Sequence, residues 1–180
     1  MNVLIVYGTT EGYTRHLCQY LQDSLAEDEV SVTVCNAAWE PTEPGTYDIC
    51  LIAASLHVGS YQPTVVEYVR WHHETLNGMP AAFLSVSLSA AGENPDDCAG
   101  LDQCVDRFLH ATLWKPAAVH HVAGAIRYSH YDFFKRLAMK FIAKRRGKET
   151  LTSRDYDLTD YEELRKFAAA FVMEHRPVET

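Results

Sequence analysis

Nowhere among the 180 residues is there an uncharged apolar run long enough to cross a bilayer, which excludes a membrane-spanning role. The first apolar segment, Val3 to Tyr7, is too short for a secretory leader, and the chain is expected in the cytoplasm. Cysteine is sparse, odd in number and widely spaced: Cys18, Cys35, Cys50, Cys98 and Cys104 form no Cys-x-x-Cys pair and mostly lie inside apolar segments. That excludes a disulfide framework and points to reduced core thiols. No Cys/His spacing suggests a metal, and the adjacent pairs His72-His73 and His120-His121 splay to different faces of any helix or strand. Basic residues are few, 16 against 24 acidic, and seven of them fall between Lys135 and Lys148, where no acid occurs. The rest of the molecule is acidic, which excludes nucleic acid as a partner. Glycine is also scarce at nine residues, and neither Gly-x-Gly-x-x-Gly nor a phosphate loop with Gly-Lys-Ser/Thr is present. ATP hydrolysis and NAD binding lose ground together, and Ser55 lacks the Gly-x-Ser-x-Gly setting of a serine nucleophile.

What is present is concentrated at the beginning. Val3-Leu4-Ile5-Val6-Tyr7 is an apolar run of strand length that passes into Gly8-Thr9-Thr10-Glu11-Gly12-Tyr13-Thr14, after which Leu17, Tyr20, Leu21 and Leu25 recur at helical spacing. The first N–H groups of a helix have no partner within it, and the helix dipole places partial positive charge there, so an anion at that end meets donors already aimed. Thr9, Thr10 and Thr14 add hydroxyls, while Gly8 and Gly12 let the main chain come close. With no lysine in the turn, a monophosphate held by neutral donors fits better than a triphosphate, which suits a cofactor such as FMN. The same residues would also serve as a plain helix cap.

Further along, Val30 to Cys35 alternates as a second strand near an edge, and Trp39 to Gly45 is predicted to be loop. Tyr47 to Ala54 is a buried strand followed by Ser55-Leu56-His57-Val58-Gly59-Ser60-Tyr61-Gln62, and Pro63 starts a helix with Val65, Val66, Val69 and Leu76 on one face. Ala81 to Leu88 is the next strand, followed by Ser89-Ala90-Ala91-Gly92. A helix opening at Asn94 to Asp97 carries Cys104, Val105, Phe108, Leu109 and Leu113, and Ala118 to Ile126 is a fifth strand. A last helix begins with a capping box of Thr159 and Glu162 and carries Tyr161, Leu164, Phe167, Ala168, Phe171 and Val172. Five strands alternating with helices predict an α/β fold, a doubly wound five-stranded parallel sheet in one domain over residues 1–180. Ligands of such sheets bind beyond the carboxyl ends of the strands, where the loops Thr9 to Thr14, Ser55 to Tyr61 and Ser87 to Gly92 all fall.

One segment exceeds the minimal pattern. Residues 127–158 make about thirty, where roughly four to six would connect strand to helix. Within them, Tyr131 to Lys144 predicts an amphipathic helix with Phe134, Leu137, Ala138, Phe141 and Ile142 on one face and basic residues around it. Such a basic helical insertion suits either an anionic membrane surface or docking on the body of the protein.

With these residues in place the chain resembles the flavodoxin-like superfamily, and more narrowly the menaquinone-dependent protoporphyrinogen IX dehydrogenase family of haem synthesis. The resemblance rests on Thr9-Thr10-Glu11-Gly12-Tyr13-Thr14, on Ala54 to Tyr61, on Met79 to Leu88, on Trp114-Lys115-Pro116, and on Ala123-Gly124-Ala125-Ile126-Arg127-Tyr128 leading into the basic segment. It departs from the family pattern at Leu56-His57-Val58 and in the serine-rich loop after Leu88. The resemblance implies that Thr9, Thr10, Glu11, Gly12, Tyr13 and Thr14 hold the FMN phosphate. Ser55, Leu56, His57, Gly59 and Tyr61, with Ser87, Leu88 and Ser89, would flank the flavin ring. It implies oxidation of protoporphyrinogen IX to protoporphyrin IX with electrons passed to a membrane quinone by a peripheral enzyme. Tyr61 and Tyr128 are expected to offer aromatic contacts, or else to pack beneath their loops. Arg127 and the nearby Lys135, Arg136 and Lys140 are expected to meet the propionates of a tetrapyrrole or an anionic membrane. The alternative is a flavodoxin-like FMN electron carrier with no organic substrate, docking its partners through the acidic surface.

Overall fold

The computed structural model describes residues 1–27, 30–39, 42–91, 95–126 and 156–176. Its centre is a five-stranded parallel sheet of β1 (Asn2–Gly8), β2 (Ser31–Asn36), β3 (Ile49–Ser55), β4 (Ala81–Ser87) and β5 (Ala118–Ala123), in the order β2-β1-β3-β4-β5. The helices are α1 (Tyr13–Ala26), α2 (Pro63–Asn77), α3 (Pro95–Thr112) and α4 (Tyr161–Glu174). The expected doubly wound sheet is therefore present, with β2 and β5 at its edges.

The two-residue period of β1 sorts its side chains between two cores. Val3, Ile5 and Tyr7 face α1 and α4, where they meet Leu17, Leu21, Leu164 and Phe171. Leu4 and Val6 face the other layer, with Val65, Tyr68, Val69, Phe83, Phe108 and Trp114. Covered on both faces, the inner strands read as unbroken apolar runs. Cys18, Cys35, Cys50 and Cys104 are buried free thiols in these layers, and burial pushes the Cys18 and Cys50 thiols well up, away from the reactive thiolate.

This strand order positions the ligand edge. In register, Gly8 lies beside Ala54, Ser55 beside Val86, and Ser87 beside Ala123. The carboxyl ends of β1, β3 and β4 are thus neighbours, and the three loops leaving them adjoin. From β1 the chain turns to the edge strand β2 and from β3 it turns the other way to β4, so the first two loops diverge at the switch point.

Four sequence expectations are corrected. The fifth strand ends at Ala123; Gly124 donates its N–H to Ser87 O, and Ala125–Ile126 (β6) pairs antiparallel with Tyr156–Asp157 (β7) outside the main sheet. The last helix is capped by Asp160, whose Oδ1 accepts the Glu163 N–H at 2.9 Å, because the Thr159 hydroxyl is engaged with Ala123 O. Leu113 has left its helix, at φ 58° and exposed, and Trp114 fills the core in its place. Within the expected Trp39–Gly45 loop the buried Pro44 opens a 3-10 turn to Thr46. The expected basic helix, Tyr131 to Lys144, lies outside the described residues.

The paired histidines do separate across the edge strand. His120 stacks on Phe167 of α4 with ring centroids 4.4 Å apart, while His121 Nε2 lies 3.2 Å from Asp102 Oδ1 of α3. Among the described residues no three His, Cys, Asp or Glu side chains gather as metal ligands. No described helix is long and apolar enough to cross a membrane.

Candidate functional site

The turn from Thr9 to Thr14 is built so that its hydroxyls donate outward. Gly12 adopts φ 83°, a left-handed conformation that costs glycine nothing, and its N–H donates to Thr9 Oγ1 at 2.9 Å. The Thr10 oxygen likewise receives Gln62 Nε2 at 3.2 Å. With their oxygens occupied by N–H donors, both hydroxyls have their own protons to give. Thr14 is wholly buried in the first turn of α1, and its Oγ1 has no hydrogen-bond partner among the described residues. A buried hydroxyl left unpaired costs free energy, which makes Thr14 Oγ1 a candidate donor to a ligand. An acceptor-only oxyanion at the helix N-terminus matches this donor set, and a phosphate monoester of the FMN type fits it.

Gln62, which sequence reasoning passes over, joins two loops. Its Nε2 also donates to Ser55 Oγ at 2.6 Å, linking the end of β3 to the turn after β1, and its Oε1 is buried with no partner among the described residues. The only local signal was its place immediately before Pro63 at the start of α2. Gly8 is required beneath it: a Cβ there would stand 2.3 Å from Val65 Cγ2 and 3.2 Å from Gln62 Cβ.

The second loop closes on itself as a tight turn. His57 and Ser60 exchange main-chain hydrogen bonds at 2.8 and 3.1 Å around Val58 (φ 49°) and Gly59 (φ 76°). A branched residue in the left-handed region is disfavoured, and Val58 is 86% exposed there, an apolar side chain held out at the ligand edge. Arg107 of α3 reaches Gly59 O at 3.4 Å. Leu56 packs on the α2 side of the core, its N–H donating to Val86 O, while His57 is exposed.

Tyr61 does not offer its ring to this edge. It is 6% exposed, packed on Phe83 and Phe108 with centroids 5.1 Å away in each case, and its hydroxyl lies 2.8 Å from Ser85 Oγ. Burial pushes its phenol up to about 12. Ser87 also turns inward, its Oγ accepting the Ala90 N–H at 3.1 Å and shaping the short turn Ser89–Ala91; Leu88 and Ser89 are half-buried beside it. Glu11 is exposed at the rim of the first turn. Arg127, Tyr128, Lys135, Arg136 and Lys140 lie outside the described residues.

Tyr13, expected in the cradle, sends its side chain elsewhere. Its hydroxyl bonds to Asp157 Oδ1, and lies 2.6 Å from Thr159 Oγ1 and 3.3 Å from the Tyr161 hydroxyl. Tyr161 donates to Asp157 Oδ2 at 2.6 Å, and the Thr159 N–H to Oδ1 at 3.0 Å. Burial pushes the Asp157 carboxyl up, but the hydrogen bonds from Tyr13, Tyr161 and Thr159 outweigh it and leave the group below the usual carboxylate range. Burial, then the Asp157 bond, pushes the Tyr13 phenol well up.

A pH dependence follows. The stabilisation from a carboxylate whose folded pKa is depressed is present in full above the unfolded value, about 3.9, and is lost as the pH falls through the lower folded value. In urea titrations the stability gap between wild type and Asp157→Asn is therefore expected to be constant above about pH 5 and to close in acid. A gap unchanged from about pH 7 down to pH 2 would show that ionisation of Asp157 plays no part.

Comparison with known proteins agrees with this architecture. A flavodoxin domain model matches residues 4–153. Protoporphyrinogen IX dehydrogenase (quinone) of Escherichia coli strain K12 is 34% identical over 170 residues, 93% of each chain. The protein of that name from Leishmania major is 33% identical over 174 residues, 93% of this chain and 73% of its own. Among solved structures, a short-chain flavodoxin associated with a non-canonical PDU bacterial microcompartment superposes with a TM-score of 0.59 at 18% identity, covering 97% of this chain and 99% of that one, a likeness of fold alone. The strand order, the turn after β1 and these matches agree: the chain belongs to the flavodoxin-domain family and, within it, to the family of the protoporphyrinogen IX dehydrogenases (quinone).

Proposed function

We propose that this chain is an FMN-dependent dehydrogenase that oxidises protoporphyrinogen IX and passes the electrons to a quinone. The observation that carries the reading is the match along 93% of both chains to a relative named for that reaction, on a fold whose first turn presents donors suited to a phosphate monoester. FMN held there would supply the redox chemistry that couples oxidation of the porphyrinogen to reduction of the quinone.

The chain's own residues do the holding. Thr9, Thr10 and Thr14 donate hydroxyls to the phosphate, together with the first-turn N–H groups of α1. Gln62 fixes the spacing between this turn and Ser55. Leu56, Val58 and Gly59 on one side, with Leu88 and Ser89 on the other, wall the slot for the ring and keep water from it. Tyr61 supports the second loop from beneath. Arg127 and the basic residues Lys135, Arg136 and Lys140 receive the substrate's propionates and meet the anionic surface in which the quinone dissolves.

The test begins with the visible spectrum of the purified protein with FMN, which is expected to show tight binding of the cofactor. Under anaerobic conditions protoporphyrinogen IX is then expected to bleach the bound flavin, and a menaquinone analogue in anionic vesicles to restore the colour. Bound flavin that protoporphyrinogen leaves oxidised would overturn the enzyme in favour of an electron carrier. A protein that takes up no FMN would overturn both.

A further inference from the structure

The first residue of α1 is held by a segment far away in sequence. Asp157, Thr159 and Tyr161 stand 144, 146 and 148 residues from Tyr13, and all three reach its hydroxyl. Each is anchored in turn. Asp157 belongs to the two-residue strand β7, paired with β6; Thr159 donates to Ala123 O at the end of β5; and Tyr161 opens α4. Leu158 N–H closes on Gly124 O at 3.3 Å. One carboxylate thus gathers two phenols and a main-chain amide, more donors than an exposed surface aspartate ordinarily collects.

Tyr13 directly follows Gly12, the left-handed hinge of the turn, and directly precedes Thr14, whose buried hydroxyl is unpartnered. Glycine has no side chain to brace that hinge, so besides the Gly12 N–H bond to Thr9 Oγ1 the tether at Tyr13 helps fix the direction in which the first N–H groups and the Thr14 hydroxyl point. Within α1 the next contacts with α4 are His16, whose ring meets that of Tyr161 edge-on at 6.2 Å, and Tyr20, whose hydroxyl donates to Tyr161 O at 3.1 Å and whose ring meets that of Tyr161 edge-on at 4.8 Å. The helix body is also held by the Tyr161 carbonyl and by Leu17 and Leu21 in the core, whereas Tyr13 is the residue of α1 that bonds Asp157 directly.

We propose that Asp157 is a positioning residue for the cofactor phosphate: through Tyr13 it clamps the first turn of α1 in the anion-binding orientation, so that phosphate occupancy and the order of β7 are linked. The inference rests on the reading of the Thr9–Thr14 turn as the FMN phosphate site. Linkage is reciprocal, so a ligand at the turn must tighten the clamp by the same factor as the clamp tightens the ligand.

Charge alone predicts the opposite sign. Asp157 is an anion near an anion site, and removing its charge would strengthen phosphate binding if it acted only through space. The clamp predicts weakening. In titrations of the full-length apoprotein followed by quenching of flavin fluorescence, Asp157→Ala and Tyr13→Phe are each expected to bind FMN roughly five- to tenfold more weakly. The double variant is expected to be little worse than either single one, since both break the same contact. Tyr13→Phe removes no charge and keeps the ring beside His16 and against the core, which separates the clamp from electrostatics and from misfolding. In hydrogen exchange, FMN is expected to slow the Leu158 and Thr159 amides of wild type, and this slowing is expected to shrink in Tyr13→Phe. Affinity unchanged or increased in both single variants, or exchange at those amides indifferent to FMN, would overturn the clamp while leaving FMN binding intact. Wild type that binds no FMN would instead overturn the reading of the turn itself.

Discussion

Phe83→Ala is expected to destabilise the protein by about 3–5 kcal/mol, the cost of emptying a large aromatic site that its surroundings refill only in part. Phe83 lies at the middle of β4 with no exposed surface, stacked on Phe108 at 4.7 Å and edge-on to Tyr61 at 5.1 Å and Trp114 at 5.9 Å. These four rings come from β4, α3, the loop before α2, and the segment after α3, so one side chain binds together most of the layer on that face. Against a typical total of about 5–15 kcal/mol, the loss takes a large share and lowers the melting temperature by roughly 10 °C. The consequence reaches the site, because Tyr61 rests on Phe83 and supports the loop that carries Val58 and Gly59. Flavin affinity is therefore expected to fall along with stability. Urea unfolding with the slope m monitored checks the first effect, and Phe83→Leu, which keeps most of the volume, is expected to recover over half of the loss. A Phe83→Ala deficit below about 1 kcal/mol would mean that the neighbouring rings close over the void.

The residues that define the sheet were legible because burial on both faces writes a plain message: continuous apolar runs, each followed by small polar residues. From that pattern and the handedness of parallel crossovers, the adjacency of the three loops follows without any side-chain geometry. The errors have a common physical source. Thr159 and Asp160 are both good caps, and each has a glutamate three residues on, Glu162 and Glu163. The choice between them was made by Ala123 O, a partner 36 residues away that takes the Thr159 hydroxyl. Tyr61 occupies a strand-end loop, yet position along the chain does not fix which way a ring turns. It turned inward because Phe83, Phe108 and the Ser85 hydroxyl together satisfy both its ring and its polar tip. Tyr13 and Asp157 show the limit most clearly, since a contact spanning 144 residues leaves no local periodicity.

Ala118 to Ile126 misled in a different way. It is a continuous β-prone run, and nothing in its composition reveals that the ladder to β4 stops at Ala123. The break comes from the end of the partner strand: Ser87 is the last residue of β4, and its carbonyl takes the Gly124 N–H as the chain turns away. Ala125 and Ile126 then find Asp157 and Tyr156 instead, which brings both ends of the 127–155 segment together at the ligand edge beside the first turn of α1. In the sequence the extra length and the basic amphipathic spacing of the segment were visible; its root beside the cradle was not.

Thr14→Val is expected to move stability and ligand affinity in opposite directions. The substitution is nearly isosteric, and the site is fully buried, so packing is conserved. Without ligand, wild type leaves the hydroxyl oxygen unpartnered, and valine relieves that penalty, raising the stability of the apoprotein by about 1 kcal/mol. With ligand, the variant lacks a hydrogen bond to a charged oxygen, worth about 1.5–3 kcal/mol, and FMN binding weakens roughly 10- to 100-fold. The thermal shift produced by a fixed FMN excess is then smaller in the variant by the amount that mass action requires. Thr9→Val is the informative contrast. Its oxygen already accepts the Gly12 N–H at 2.9 Å, so valine there breaks the turn itself and is expected to lower stability even without FMN. Thr14→Ser keeps the hydroxyl and is expected to bind FMN nearly as wild type does. Equal affinity in Thr14→Val and wild type, or a loss of apoprotein stability, would remove Thr14 from the phosphate site and leave its buried hydroxyl without a function.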